Sequence, residues 1–204
     1  MTMRMTPLDE EQVVEILGVE AETFRDQQGF VPNSWCVMAH RPELLRAFVA
    51  LMREVWAAGV TPPSLRVMVA LVASAASGCR YCQAHNASRA LSVGIPMEKL
   101  QAIWEFETSP LFSPGERAAL KLATTAAVVP NESTHEEVAE VVRYFGTEGG
   151  VELIAVIAAF GFLNRWNETV ATELESTPMD AGFQVLAESG WSPGKHAAGY
   201  ERGL

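Results

Sequence analysis

The chain has 204 residues, of which 49% are hydrophobic and 20% charged, and a formal net charge of −10. That balance suits one ordinary globular domain or two small ones. The negative charge argues against a nucleic-acid partner, because phosphate binding needs clustered Lys and Arg, and it mainly favours solubility.

The N-terminal stretch MTMRMTPLDEEQ places no apolar segment behind Arg4, so it does not read as a signal peptide. The longest wholly apolar run, Leu153 to Leu163, is shorter than the roughly 20 residues that a bilayer crossing takes. A cytoplasmic protein without a membrane partner is therefore expected. The three cysteines do not suggest a secreted disulfide framework.

Helix-start signals recur along the chain. Thr6-Pro7 with Asp9, Thr61-Pro62, Ser113-Pro114 with Glu116, and Thr134 with Glu137 each read as an N-cap followed by a helix. Gly94 followed by Pro96 marks a helix end and restart. Between these signals the apolar spacing is helical: Leu44, Leu45, Phe48, Leu51, Met52 and Val55 form one stripe, Ala119, Leu122, Ala123, Ala126 and Ala127 a second, and Val138, Val141, Val142 and Phe145 a third. No alternating strand pattern or Asn-Gly hairpin stands out, so the fold class is all-α.

Two segments, Leu65 to Ala76 and Leu153 to Leu163, are apolar nearly all round and belong in the middle of a bundle. At an offset of 85 positions, Val69 to Ala73 lies on Ile154 to Ala158, and Cys79-Arg80-Tyr81-Cys82 on Asn164-Arg165-Trp166-Asn167. This predicts a degenerate internal duplication of a helical hairpin, with only the first copy keeping thiols. One helical domain is expected over residues 1–177 and a partly irregular C-terminal arm over 178–204. Trp191 and Tyr200 of that arm suggest docking on something, such as a neighbouring subunit.

The stretch Ser77-Gly78-Cys79-Arg80-Tyr81-Cys82-Gln83-Ala84-His85-Asn86 carries chemistry. A buried helix is expected to end at Gly78 and another to begin at Cys79. Unpaired N–H groups and the helix dipole at such an N-terminus stabilise a thiolate, which favours Cys79 as the attacking group, although exposure could reverse that order. On one helical turn Cys79 and Cys82 can close a disulfide, one attacking an oxidant and the other resolving the sulfenic acid. His85 lies on the face of Cys82 and could move the proton. Arg80, Tyr81, Asn86 and His40 are candidates for lining this site. A structural zinc needs four ligands, and beyond Cys79, Cys82 and His85 only the remote Cys36 and His40 remain. A c-type haem is excluded by Gln83 after the second Cys. No metal and no cofactor are expected. Inert buried thiols are the plain alternative. Cys36, Trp56, Trp104, Phe106 and Phe112 read as core or interface. Asn164 and Arg165 read as internal hydrogen-bonding residues.

Taken together, these motifs resemble the alkylhydroperoxidase D-like (carboxymuconolactone decarboxylase) superfamily. They are Leu65-Arg66, Gly78-Cys79-x-Tyr81-Cys82-x-Ala84-His85, Ala90 and Gly94. Val31-Pro32-Asn33, Ala39-His40-Arg41-Pro42-Glu43-Leu44-Leu45, Ser109 to Ala118 and Asn164-Arg165 resemble its peroxidase-related branch. The resemblance implies an all-helical homo-oligomer (dimer, trimer or hexamer) that reduces hydroperoxides through the Cys79/Cys82 pair, regenerated by a thiol or protein reductant. It also implies a proton relay of Glu, His and the Cys pair. Two positions depart from that pattern. The relay Glu, twelve residues before the first Cys, is Val67, and the relay His, four residues after the second, is Asn86, with His85 one residue early. Glu152 falls at the equivalent relay position of the second repeat, where it is expected to cap a helix or bind a partner chain. Two other functions stay open: a non-enzymatic redox-sensing or structural oligomer, and a decarboxylase-type enzyme.

Overall fold

The computed structural model describes residues 3–198, all of whose regular elements are helical. Asp9 opens α1 (Glu10–Leu17), accepting from the Gln12 N–H while the Gln12 side chain answers its own N–H. α2 (Val19–Gln28) and the short α3 (Asn33–Met38) follow. α4 (Pro42–Trp56) and α5 (Pro63–Ala76) both start on proline, whose fixed φ suits the first turn. Thr61, expected to cap α5, does not; its hydroxyl and N–H both donate to Glu152. α6 (Arg80–Ser92), α7 (Met97–Gln101) and α8 (Pro114–Ala126) continue the chain. The capping box of Ser113 and Glu116 starts α8, and that of Thr134 and Glu137 starts α9 (His135–Val170), as their spacing predicts. α10 (Ser176–Leu186) occupies the beginning of what was expected to be the arm.

α5 is the central rod. Every residue from Leu65 to Ser74 is buried, and the helix packs against α6, α8 and α9. Arg66, also buried, donates to the carbonyls of Val55 and Ala57 and so caps the end of α4. A second cluster, built on Val13, Leu17, Ala21, Trp35, Met38, Leu45 and Phe48, forms an N-terminal layer. Met52 and Leu163 pack against both clusters.

The sequence and the fold differ at three points. Leu44 and Leu51 of the first stripe face outward, as do Val151, Ile154 and Phe162 of α9, so α9 is half surface rather than central. α9 is long and apolar enough to cross a membrane by length and composition alone, but here Leu153, Val156, Ile157 and Phe160 are buried in the bundle. The expected second hairpin does not turn. The first copy breaks at Gly78, whose φ of 73° is open to a residue without a Cβ. Its counterpart at the 85-residue offset is Leu163, which stays helical, so α9 runs on through Asn164 and Asn167.

After α10 the chain folds back on its own protein. The Trp191 indole N–H donates to the Arg80 carbonyl at 3.4 Å, and the Leu174 N–H donates to the His196 carbonyl at 2.9 Å. The docking expected of Trp191 is thus intramolecular; Tyr200 lies outside the described residues.

Candidate functional site

Gly78 ends the central helix, and Cys79 becomes the N-cap of α6, its sulfur accepting the Cys82 N–H at 3.3 Å. The two sulfurs are therefore brought together as the sequence predicts, and both are free thiols. Their surroundings differ. Both are buried, but only Cys82 lines a cavity, of about 680 Å³. Burial and the adjacent Cys82 sulfur push the Cys79 thiol well above its ordinary value. This direction runs against the activation of Cys79 expected from the helix terminus, because one N–H does not offset complete desolvation.

His85 comes one turn after Cys82 and also lines the cavity. Its ring stacks on Tyr81 with centroids 4.3 Å apart and meets the edge of Phe30 at 5.7 Å. Its Nε2 lies 2.8 Å from Oε2 of Glu175. Val67 offers no carboxylate, but Glu175 sets one against His85, and nothing in the cysteine motif points to it: it stands 90 positions beyond His85, just ahead of α10. The only local signal is an acidic residue before Ser176-Thr177-Pro178, which reads as a helix start.

Glu175 is held from three sides. Its Oε1 accepts from the Asn33 N–H at 2.6 Å and from the Tyr81 hydroxyl at 2.9 Å. Burial alone would raise its pKa, but the charge and hydrogen bond of His85 and the Asn33 N–H outweigh burial and hold it below the ordinary range. Tyr81, by contrast, is pushed well up by burial and by Glu175, and stays a neutral donor. A carboxylate only accepts, so Glu175 fixes a proton on His85 Nε2 and leaves Nδ1 as the nitrogen that can give or take one.

The remaining predicted residues divide. Asn86 is buried on the cavity wall, with its amide donating to the Cys82 carbonyl at 2.9 Å. Arg80 turns away to the arm, 2.8 Å from the Ser192 hydroxyl, and His40 is exposed and bonded to the Thr6 carbonyl at 2.9 Å; neither lines the cavity. Cys36 is a core residue, and its thiol is pushed up to about 12 by burial and by Glu10 and Glu175. Glu152 stays with Val60 and Thr61, away from the thiols. Asn164, expected to hydrogen-bond within the fold, finds no partner among the described residues. Asn167 has that role: it accepts from the Thr172 hydroxyl and places its amide 3.5 Å from the Cys82 sulfur. Trp56, expected in the core, forms part of the cavity wall with Phe24, Trp35, Phe48 and Phe160.

Known proteins resemble this chain in sequence and in fold. Residues 42–125 match the model of the carboxymuconolactone decarboxylase family. The debrominase Bmp8, solved as a Cys-to-Ala variant in complex with 2,3,4-tribromopyrrole, is 30% identical over 91% of this chain and 98% of that chain, with a TM-score of 0.81. An uncharacterized peroxidase-related protein from Ralstonia eutropha JMP134, with an alkylhydroperoxidase AhpD core, shares the fold. It is 23% identical over 86% of this chain and 94% of its own, with a TM-score of 0.75. The uncharacterized protein YdfG of Bacillus subtilis (strain 168) is 25% identical over 103 residues, 50% of this chain and 68% of that protein.

Proposed function

Because the chain belongs to the carboxymuconolactone decarboxylase/alkylhydroperoxidase D-like superfamily, whose members of this kind include enzymes, we propose that it is a dithiol oxidoreductase acting on an apolar organic electrophile. The observation that carries this is the position of Cys82, at the wall of an aromatic cavity beside a His85–Glu175 pair and backed by Cys79.

With an organic hydroperoxide, the Cys82 thiolate attacks the outer oxygen and the O–O bond breaks. His85 Nδ1 takes the Cys82 proton as the thiolate forms and gives it to the departing alkoxide, and Cys82 is left as a sulfenic acid. Cys79 then attacks that sulfur, a disulfide forms and water leaves. An external thiol or protein reductant restores the dithiol. Glu175 keeps His85 in the tautomer this transfer uses. Cys79, kept protonated by burial, suits the resolving step better than the attack. A cytosolic setting, with its thiol reductants, fits such a cycle.

A second substrate reading is favoured by the 30% identity to a debrominase and by the ring-lined cavity. Here Cys82 takes the halogen from a halogenated aromatic, the ring carbon is protonated, and Cys79 displaces halide as the disulfide closes. The outward stripe of Val151, Ile154 and Phe162 on α9 supports self-association as a dimer, trimer or hexamer.

The test is anaerobic titration of the reduced protein with cumene hydroperoxide and, separately, with a bromopyrrole, followed by alkylation and peptide mapping. The expected result with at least one oxidant is a stoichiometric Cys79–Cys82 disulfide with one equivalent of cumyl alcohol or bromide. Cys82→Ser should abolish it, and Cys79→Ser should leave an oxidised Cys82. Thiols that stay free with both reagents would make the pair structural and overturn the proposal.

A further inference from the structure

The wall of the cavity holds a cation that the thiol chemistry does not use. Cys82, His85 and Arg89 stand at successive turns of α6, at spacings of three and four, so all three point to one face. All three line the cavity. The Arg89 guanidinium lies 4.3 Å over the centroid of the Trp56 ring.

The Arg89 side chain forms neither a hydrogen bond nor an ion pair with any described residue. Other cationic side chains in partly covered positions are answered: Lys99 by Glu116, and Lys195 by Glu168. Arg53, the other cation at this cavity, is exposed and paired with Glu54. Glu20 is the single acidic residue of the cavity wall among the described residues, and it sits in no ion pair. Trp56 adds a second donor without an acceptor, since its indole N–H is buried and unpartnered. Burial pushes Arg89 below its ordinary value, with no carboxylate acting the other way. A guanidinium remains charged even so. A partly buried cation in an apolar wall is costly unless something answers it.

We propose that Arg89 is the anion-binding end of the substrate site, and that the substrate is an organic acid with an apolar, ring-sized body. This rests on the cavity being the substrate site of the proposed oxidoreductase. Seven residues of helix separate Arg89 from Cys82, a rise of about 10 Å. An acid seated on Arg89 through a carboxylate therefore lays an aromatic or short alkyl body along Trp56 and Phe160 and brings its far end to the Cys82 sulfur. In a chain of net charge −10, the general field repels such a ligand, so the preference must come from this local cation. Arg89 is here a positioning residue for the electrophile, not a participant in the thiol steps.

The test is calorimetric titration of the reduced wild-type protein with 2-naphthoate and with the neutral 2-naphthalenemethanol, repeated on Arg89→Gln. The expected result is at least a tenfold tighter Kd for the naphthoate in wild type, narrowing with added salt, and equal affinities in Arg89→Gln. Equal affinities in wild type, no binding of either probe at millimolar concentration, or a naphthoate preference that survives Arg89→Gln would each overturn the proposal. The wild-type comparison decides even if the variant does not fold. Neither probe is an oxidant, so this outcome is independent of disulfide formation by cumene hydroperoxide, which tests the redox reading separately.

Discussion

Replacing Glu175 by Gln separates its charge from its shape. In the native site Oε1 accepts from the Asn33 N–H and the Tyr81 hydroxyl, and Oε2 accepts from His85 Nε2 at 2.8 Å. A glutamine keeps one acceptor oxygen for Asn33 and Tyr81, but puts an amide nitrogen where Oε2 was. That nitrogen only donates, so His85 Nε2 must become the acceptor and its proton moves to Nδ1. The imidazole then holds the wrong tautomer for taking a proton on the side that Glu175 leaves free. A loss of about a hundredfold in the rate of Cys79–Cys82 disulfide formation is expected, within the range for a positioned acid–base group. Loss of charge-assisted hydrogen bonds should cost about 1–3 kcal/mol. In a chain of this size that lowers Tm by roughly 2–4 °C per kcal/mol. The assay is stopped-flow mixing with cumene hydroperoxide, read by rapid alkylation, beside a thermal melt. Tyr81→Phe is the control: it leaves the Glu175–His85 contact intact and should slow the reaction less than tenfold. A Glu175→Gln protein that melts lower but reacts within threefold of wild type would refute the relay and leave Glu175 a structural anchor.

Two further outcomes follow from the packing of the arm. Burial tends to raise Glu168, but hydrogen bonds from His196 and Lys195 outweigh it and bring its pKa from 4.5 to about 2. A depressed carboxylate contributes stability that is fully present above pH 4.5 and is lost as pH falls toward 2. The full gap corresponds to roughly 3 kcal/mol, and partial exposure of the carboxylate reduces the expectation to about 1–2 kcal/mol. Chemical denaturation at pH 7 and at pH 3 should show this loss in wild type and a smaller one in Glu168→Gln; identical losses would exclude the cluster as its source. Gly182 packs under Trp191, where an added Cβ would lie 2.5 to 2.9 Å from three ring atoms. Gly182→Ala should therefore cost about 1–3 kcal/mol through overpacking. Hydrogen exchange should accelerate at Trp191 and in the turn Gly194–His196 while α5 stays protected; unchanged exchange in the arm would show that the indole moves aside at no cost.

What the sequence alone determined is local. The capping boxes at Ser113 and Thr134, the break at Gly78, the run of α5 and the placing of Cys79, Cys82 and His85 on one helix follow from interactions between residues three or four apart. Those partners stand close together in the chain at spacings that α-helix geometry fixes, so a reader of the sequence can see both at once. Glu175 could not be found that way: its partners are Asn33 on α3 and Tyr81 and His85 on α6, both far from it in the chain. The raised Cys79 thiol was equally hidden, because a helix N-terminus lowers a thiol pKa only where burial does not outweigh it, and burial is set by what the bundle packs around Cys79. The same holds for Trp56, which reads as core and becomes cavity wall, and for Leu51 and Ile154, which continue apolar stripes and face outward. Apolar patterning says which side of a helix avoids water, but only the packing of the helices says whether that side meets core, cavity or surface.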